Sequence, residues 1–140
     1  MKTRQALIRY NEWQVDEKRK ALADLFAAIE ILERDEERLT VTTSLEQVKA
    51  AETEIGRIGY PGFAQGVIAR RHNIELSRKE LEAQIDGAKD ALQLAYQELK
   101  KIEIMEERRK KKHRKELDRR EQAELDEIAQ NRFTSGSNER

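Results

Sequence analysis

The chain has 140 residues, of which 40% are charged, 37% apolar and 5% aromatic. Its 28 basic and 28 acidic residues cancel, so net charge by itself favours neither nucleic acid nor a membrane surface. So little apolar matter excludes a compact multilayer core and fits a long-helix or coiled-coil composition that buries only a narrow seam.

There is no cysteine, hence no disulfide and no thiolate metal site, which suits a reducing compartment. The opening residues lack the apolar core of a secretory signal. No window approaches the ~20 apolar residues that span a bilayer. The expectation is a soluble, intracellular protein.

From the N-terminus, Ile8, Val15, Leu22 and Ile29 recur every seventh residue, with Leu25, Leu32 and Leu39 at the alternate seam position. This 3–4 alternation is the coiled-coil pattern. Asn11 and Lys18 are polar seam positions, so the seam is weakest near the start. Thr40-Val41-Thr42-Thr43-Ser44 is a β-branched, poorly helix-forming run. Leu45, Val48 and Ile55 then resume on a displaced stripe, which predicts an irregularity near 40–44.

Gly56 to Gly66 holds four of the six glycines and the only proline. Proline lacks the N–H a helix needs and pushes Tyr60 toward extended geometry, while Gly59 and Gly62 can take left-handed turns. Beyond it Ile74, Leu81, Ala88, Ala95 and Ile102 hold one seam position and Ile85, Leu92 and Leu99 the other. After Met105 the pattern fails, then returns thinly with Leu117, Leu125 and Ile128. The predicted architecture is all-α, a long antiparallel two-helix coiled-coil hairpin. Helix one covers about 3–57, the turn about 58–62 and helix two about 63–131, with a disordered tail at 132–140. Folding about residue 60 sets Leu22 near Leu99, Ile29 near Leu92 and Lys18 near Glu103, turns Asn11 toward the basic run, and leaves helix two overhanging at the end opposite the turn.

No catalytic constellation stands out. The glycine-rich stretch lacks the Gly-Lys-Ser/Thr of a phosphate-cradling loop, His72 and His113 each sit beside cations that would repel a metal, and the carboxylates are those of any solvated helix. No catalytic residue, metal or cofactor is expected, and the protein reads as a non-enzyme.

Three features rise above background. Trp13 lies at the heptad position furthest from the seam, with Tyr10 also off it. Either they meet a partner, as exposed tryptophan often does, or they pack on the overhanging part of helix two. Arg108 to Lys115 are eight consecutive basic or His residues: a solvated face, a dock for an acidic protein surface, or a nucleic-acid contact, although no interleaved aromatics or adjoining zipper support the last. The tip carries an apolar rim of Ile58, Tyr60, Phe63, Val67 and Ile68 beside Arg70 and Arg71, which either closes the hairpin or makes a contact.

The segment Leu7-Ile8-Arg9-Tyr10-Asn11-Glu12-Trp13-Gln14-Val15-Asp16-Glu17-Lys18-Arg19, with Tyr96-Gln97-Glu98-Leu99-Lys100-Lys101-Ile102-Glu103 and Gln122-Ala123-Glu124-Leu125-Asp126-Glu127, resembles the FliJ family of the flagellar export apparatus, most of all its short alpha-proteobacterial versions. The resemblance implies a stalk similar to that of a rotary-ATPase gamma subunit. Such a stalk inserts its paired chain ends into the hexameric flagellar export ATPase, stimulates it without hydrolysing anything, touches the cytoplasmic domain of the export gate protein FlhA, and helps cycle export chaperones. It implies a cytoplasmic protein, held at the inner face of the membrane through partners only, with no nucleic acid and no cofactor. On this reading Tyr10, Trp13, Arg108, Arg109, Lys110, Lys111 and Lys112 are the candidate ATPase contacts, and Tyr60, Phe63, Val67 and Arg70 the candidate gate contacts. The alternatives are a structural coiled-coil scaffold and a nucleic-acid-binding helical protein.

Overall fold

The computed structural model describes residues 2–138. Two helices account for nearly all of them: α1, Lys2–Glu52, and α2, Glu54–Asn138. They pack against each other as an all-α, two-helix hairpin. Two compact units are present, a hairpin unit of Glu12–Tyr96 and a terminal unit made of the chain up to Asn11 together with the chain from Gln97 onward.

Within the hairpin unit the reversal is made at Thr53, not in the glycine-rich stretch. The Thr53 N–H donates to the Lys49 carbonyl at 2.9 Å, closing α1. Its hydroxyl also lies 2.9 Å from that carbonyl and accepts the Gly56 N–H at 3.0 Å. One threonine therefore ends the first helix and caps the second, satisfying a backbone donor that every helix start leaves unpaired. Glu54 follows in the first turn of α2, where the helix dipole favours an acid.

Gly56 is required here by close approach. A Cβ on it would stand 2.5 Å from the Lys49 carbonyl oxygen and 2.7 Å from its carbon. A Cβ at Gly59, Gly62 or Gly66 would meet open space. None of the described glycines has positive φ, so the expected left-handed turns at Gly59 and Gly62 are absent. Pro61 sits inside α2, and Tyr60 is helical with it. The expected turn at 58–62 is thus the second turn of a helix.

The β-branched run is also regular helix. Thr40, Thr42, Thr43 and Ser44 each donate their hydroxyl to the carbonyl four residues back, at 2.6–3.1 Å. These bonds employ groups that would otherwise draw the backbone out of the helix. No stripe shift occurs. The covered positions of α1 continue in the same 3–4 alternation through Glu36, Leu39, Thr43, Glu46 and Ala50, whereas Leu45 and Val48 are exposed.

On α2 the covered positions run through Tyr60, Ala64, Val67, Arg71, Ile74, Arg78, Leu81, Ile85, Ala88, Leu92 and Ala95. The heptad thus begins at the tip, seven residues or more before the aliphatic pattern shows it. Val15, Val67, Ile74 and Ile85 are the buried apolar core. Polar members of the seam pair across it: Arg78 forms a charge-assisted bond with Glu36 and lies 3.6 Å from Glu75, Arg71 donates to the Thr40 hydroxyl at 3.1 Å, and Gln47 donates to the Tyr60 hydroxyl at 3.1 Å. The Glu36 carboxylate, first by its hydrogen bond and then by its charge, holds the Arg78 guanidinium more firmly protonated than usual.

Reversal at Thr53 shifts the pairing from the expected one by nearly a heptad. Arg19 stacks over the Tyr96 ring at 5.7 Å and Lys89 over the Phe26 ring at 5.9 Å. Leu22 and Ile29 therefore face α2 closer to the tip than Leu99 and Leu92. Helix α2 also continues through Asn138 where a frayed tail from residue 132 was expected. Thr134 donates its hydroxyl to the Gln130 carbonyl at 2.8 Å, and no proline interrupts this stretch. Residues 139–140 of that expected tail lie outside the described residues.

Candidate functional site

In the terminal unit α1 starts at Lys2 while α2 runs on to Asn138. Ile8 is half-buried, sharing a cleft with Arg4, Leu7, Ile102, Met105, Glu106 and Arg109. Asn11 is buried and satisfied within its own helix, donating its amide to the Leu7 carbonyl at 2.8 Å. The sequence predicts that it faces the basic run; its amide instead bonds within α1. Gln5 of α1 shares a second cleft with that run, beside Arg109, Lys110, His113 and Arg114.

The seam does not fail after Met105. Ile102, Glu106 and Arg109 are half-buried at the same 4–3 spacing as Leu92, Ala95 and Leu99. Glu106 accepts two bonds from the Arg109 guanidinium, at 2.8 and 3.1 Å. That bidentate partner holds the Glu106 carboxyl below its usual range, and the carboxylate in turn raises Arg109. Arg109 is thus a seam residue engaged in the chain, unlike its neighbours in the basic run. Glu106 is the member of this site that apolar periodicity could not find. The signal was there in the seven-residue spacing of Leu92, Leu99 and Glu106 and of Ala95, Ile102 and Arg109.

The remaining candidates are distributed as follows. Arg108, Lys110, Lys111 and Lys112 are exposed, Lys111 standing 4.0 Å from Glu107. From Lys111 to Gly136 every residue of α2 is exposed, including Leu117, Leu125, Ile128 and Phe133. Tyr10 keeps 56% of its surface in solvent and Trp13, one turn further along α1, keeps 54%. At the tip, Val67 is buried at 7% and Tyr60 and Phe63 are half-buried, with their rings 6.5 Å apart. Val67 and Tyr60 hold seam positions against α1, Tyr60 through its bond from Gln47. Arg70 is exposed, and so are Ile55, Ile58 and Ile68.

Among the described residues no group of His, Asp and Glu could hold a metal ion, and no helix is long and apolar enough to cross a membrane. What the arrangement offers is surface: a paired two-helix end, a single-helix extension with a basic stretch, and half-exposed aromatics on α1. Fold and site together define a helical-hairpin protein equipped for binding. A family model described as flagellar FliJ protein matches residues 1–138, and the chain belongs to that family, a component of the flagellar export apparatus. No curated protein and no solved structure matches it.

Proposed function

We propose that the protein is a non-catalytic stalk that binds the hexameric flagellar export ATPase through its terminal unit and stimulates ATP hydrolysis there. The observation that carries this reading is the α2 extension, exposed at every position from Lys111 to Gly136. A helix entering the hole of a ring needs charge around most of its surface, and this extension supplies it outside the stripe of Leu117, Leu125 and Ile128. Arg108, Lys110, Lys111 and Lys112 supply cations for an acidic ring lining, and Tyr10 of the same unit supplies an amphipathic anchor of the kind enriched at binding hot spots; Trp13, in the hairpin unit, is a separate candidate contact. Arg109 acts indirectly, by fixing Glu106 and the geometry of the paired end.

The opposite role, linking the ATPase to the cytoplasmic domain of FlhA and to export chaperones, falls to the tip. Arg70 is exposed there. Exposed Ile55, Ile58 and Ile68 join half-exposed Tyr60 and Phe63 as the tip's apolar contacts, whereas Val67 is buried. The protein works at the cytoplasmic face of the inner membrane, held there by its partners.

The test is ATP hydrolysis by the export ATPase of the same organism, with and without this protein. Stimulation is expected, and Trp13→Ala is expected to reduce it with the helical circular-dichroism signal intact. Neutralising Arg108 and Lys110 to Lys112 is expected to abolish it at moderate salt. No stimulation and no co-purification would leave a scaffold.

A further inference from the structure

The overhanging part of α2 is divided by charge. Arg108 to Lys115 are all basic or His; Glu116, Leu117 and Asp118 end that run, Arg119 and Arg120 follow, and Glu121, Glu124, Asp126 and Glu127 then come with no intervening cation. Among the described residues none of these four acids forms an ion pair within the chain. Asp126 accepts only the Gln122 amide, at 3.0 Å. Leu117, Leu125 and Ile128 lie within about 80° of one another around a helix of 3.6 residues per turn, and all three are exposed. Most helical stability in proteins comes from packing an apolar face, and past Leu117 this face of α2 has no cover within the chain among the described residues. Basic block, apolar stripe and acidic block thus lie on one stretch of α2, which α1 meets only at its start, where Gln5 shares a cleft with Arg109, Lys110, His113, Arg114 and Leu117.

We infer that this segment pairs antiparallel with the same segment of a second copy, crossing near Leu117. The antiparallel sense is set by the charges. It lays Glu121, Glu124, Asp126 and Glu127 of each copy along Arg108 to Lys115 of the other, whereas a parallel pairing opposes like blocks. The two-fold axis makes both complementary contacts at once, and Leu125 and Ile128 rest against the aliphatic stems of the partner's lysines and arginines. Such a dimer covers the surface offered above to the ATPase, so pairing and insertion exclude each other. The self-association does not depend on the ATPase reading, and it is measured on the protein alone.

The experiment is sedimentation equilibrium of the full chain at rising salt. A monomer–dimer equilibrium in the micromolar range is expected, shifting to monomer as salt shortens the screening length below about 10 Å. The triple variant Glu121→Lys, Glu124→Lys, Glu127→Lys is expected to be monomeric, as is Arg108→Glu, Lys111→Glu, Arg114→Glu. Mixing the two variants is expected to restore dimers, because both contacts become complementary again. The chain has no cysteine, so orientation is read directly. Lys111→Cys mixed with Glu124→Cys is expected to cross-link between the two variants under mild oxidation. A monomer throughout the micromolar range, a dimer indifferent to both charge reversals, or cross-links that join only identical positions would each overturn the inference. ATPase stimulation by a chain that never dimerises would leave the proposed function standing and this inference refuted.

Discussion

The residues on the two sides of Thr53 solve opposite problems. Before it, Thr40 to Ser44 carry too many competing groups for a helix, and four hydroxyl bonds to carbonyls one turn back absorb them. After it, Gly56 to Gly66 carry too little: four residues without a side chain, and one without an N–H. Both stretches are helical. The first is helical because its own side chains satisfy themselves. The second is helical because Tyr60, Ala64 and Val67 have seam positions to fill against α1. Poor propensity was overcome by local hydroxyl bonds together with the seam contacts of Thr40 and Thr43 in one case, and by tertiary packing in the other.

The largest expected effect is at Pro61. Pro61→Ala restores a donor to the Arg57 carbonyl and removes a helix-interior proline, worth about 3 kcal/mol; thermal unfolding should shift upward by several degrees. An unchanged melt would mean that packing on α1 already compensates fully. Next is Gly56→Ala, which must push the Lys49 carbonyl aside and is expected to cost about 1–3 kcal/mol as an overpacking change. Gly59→Ala or Gly62→Ala is expected to stabilise by up to about 1 kcal/mol each, having open space for the new methyl. Glycines a few residues apart in one turn-rich stretch thus respond with opposite sign, and a uniform response would break the account of the reversal. Thr53→Ala removes the shared cap and is expected to cost about 1 kcal/mol, read as faster amide exchange confined to the residues flanking it.

The smallest effect is at the far end. Glu106 has its folded carboxyl held below the ordinary value of 4.5, so its bond to Arg109 contributes stability above that value and loses it as pH falls through the depressed one. Acidification below about 4.5 should therefore loosen the terminal unit, and Glu106→Gln should remove that pH dependence. The readout is amide exchange of residues 102–110 as a function of pH.

The repeat of aliphatics from Ile8 to Leu39 and from Ile74 to Ile102 was enough to read two long helices, an antiparallel hairpin and an overhanging second arm. The basic run and the off-seam placement of Tyr10 and Trp13 were equally legible, since helix periodicity assigns a face to each residue. The seam members Glu36, Thr43, Glu46, Arg71, Arg78, Glu106 and Arg109 were not, because a hydropathy pattern counts a charged seam residue as an interruption. Their partners, which make burial tolerable, lie on the other helix or one turn away. At the tip, Tyr60, Phe63 and Val67 were open to either of two roles; Val67 is buried in the seam, while Tyr60 and Phe63 keep part of their surface in solvent.

What the sequence by itself determined is the class of object: helix-forming residues with a heptad seam and a surplus of charge make a two-helix hairpin and little else. Where that hairpin turns was decided by the tertiary structure. Composition pointed at the proline and its neighbouring glycines, where backbone freedom is greatest. The chain turns instead at Thr53 and Gly56, where a hydroxyl can serve two helices and a missing Cβ lets their backbones touch, because only that reversal sets α1 and α2 in a register that pairs Glu36 with Arg78 and covers Val67, Ile74 and Ile85.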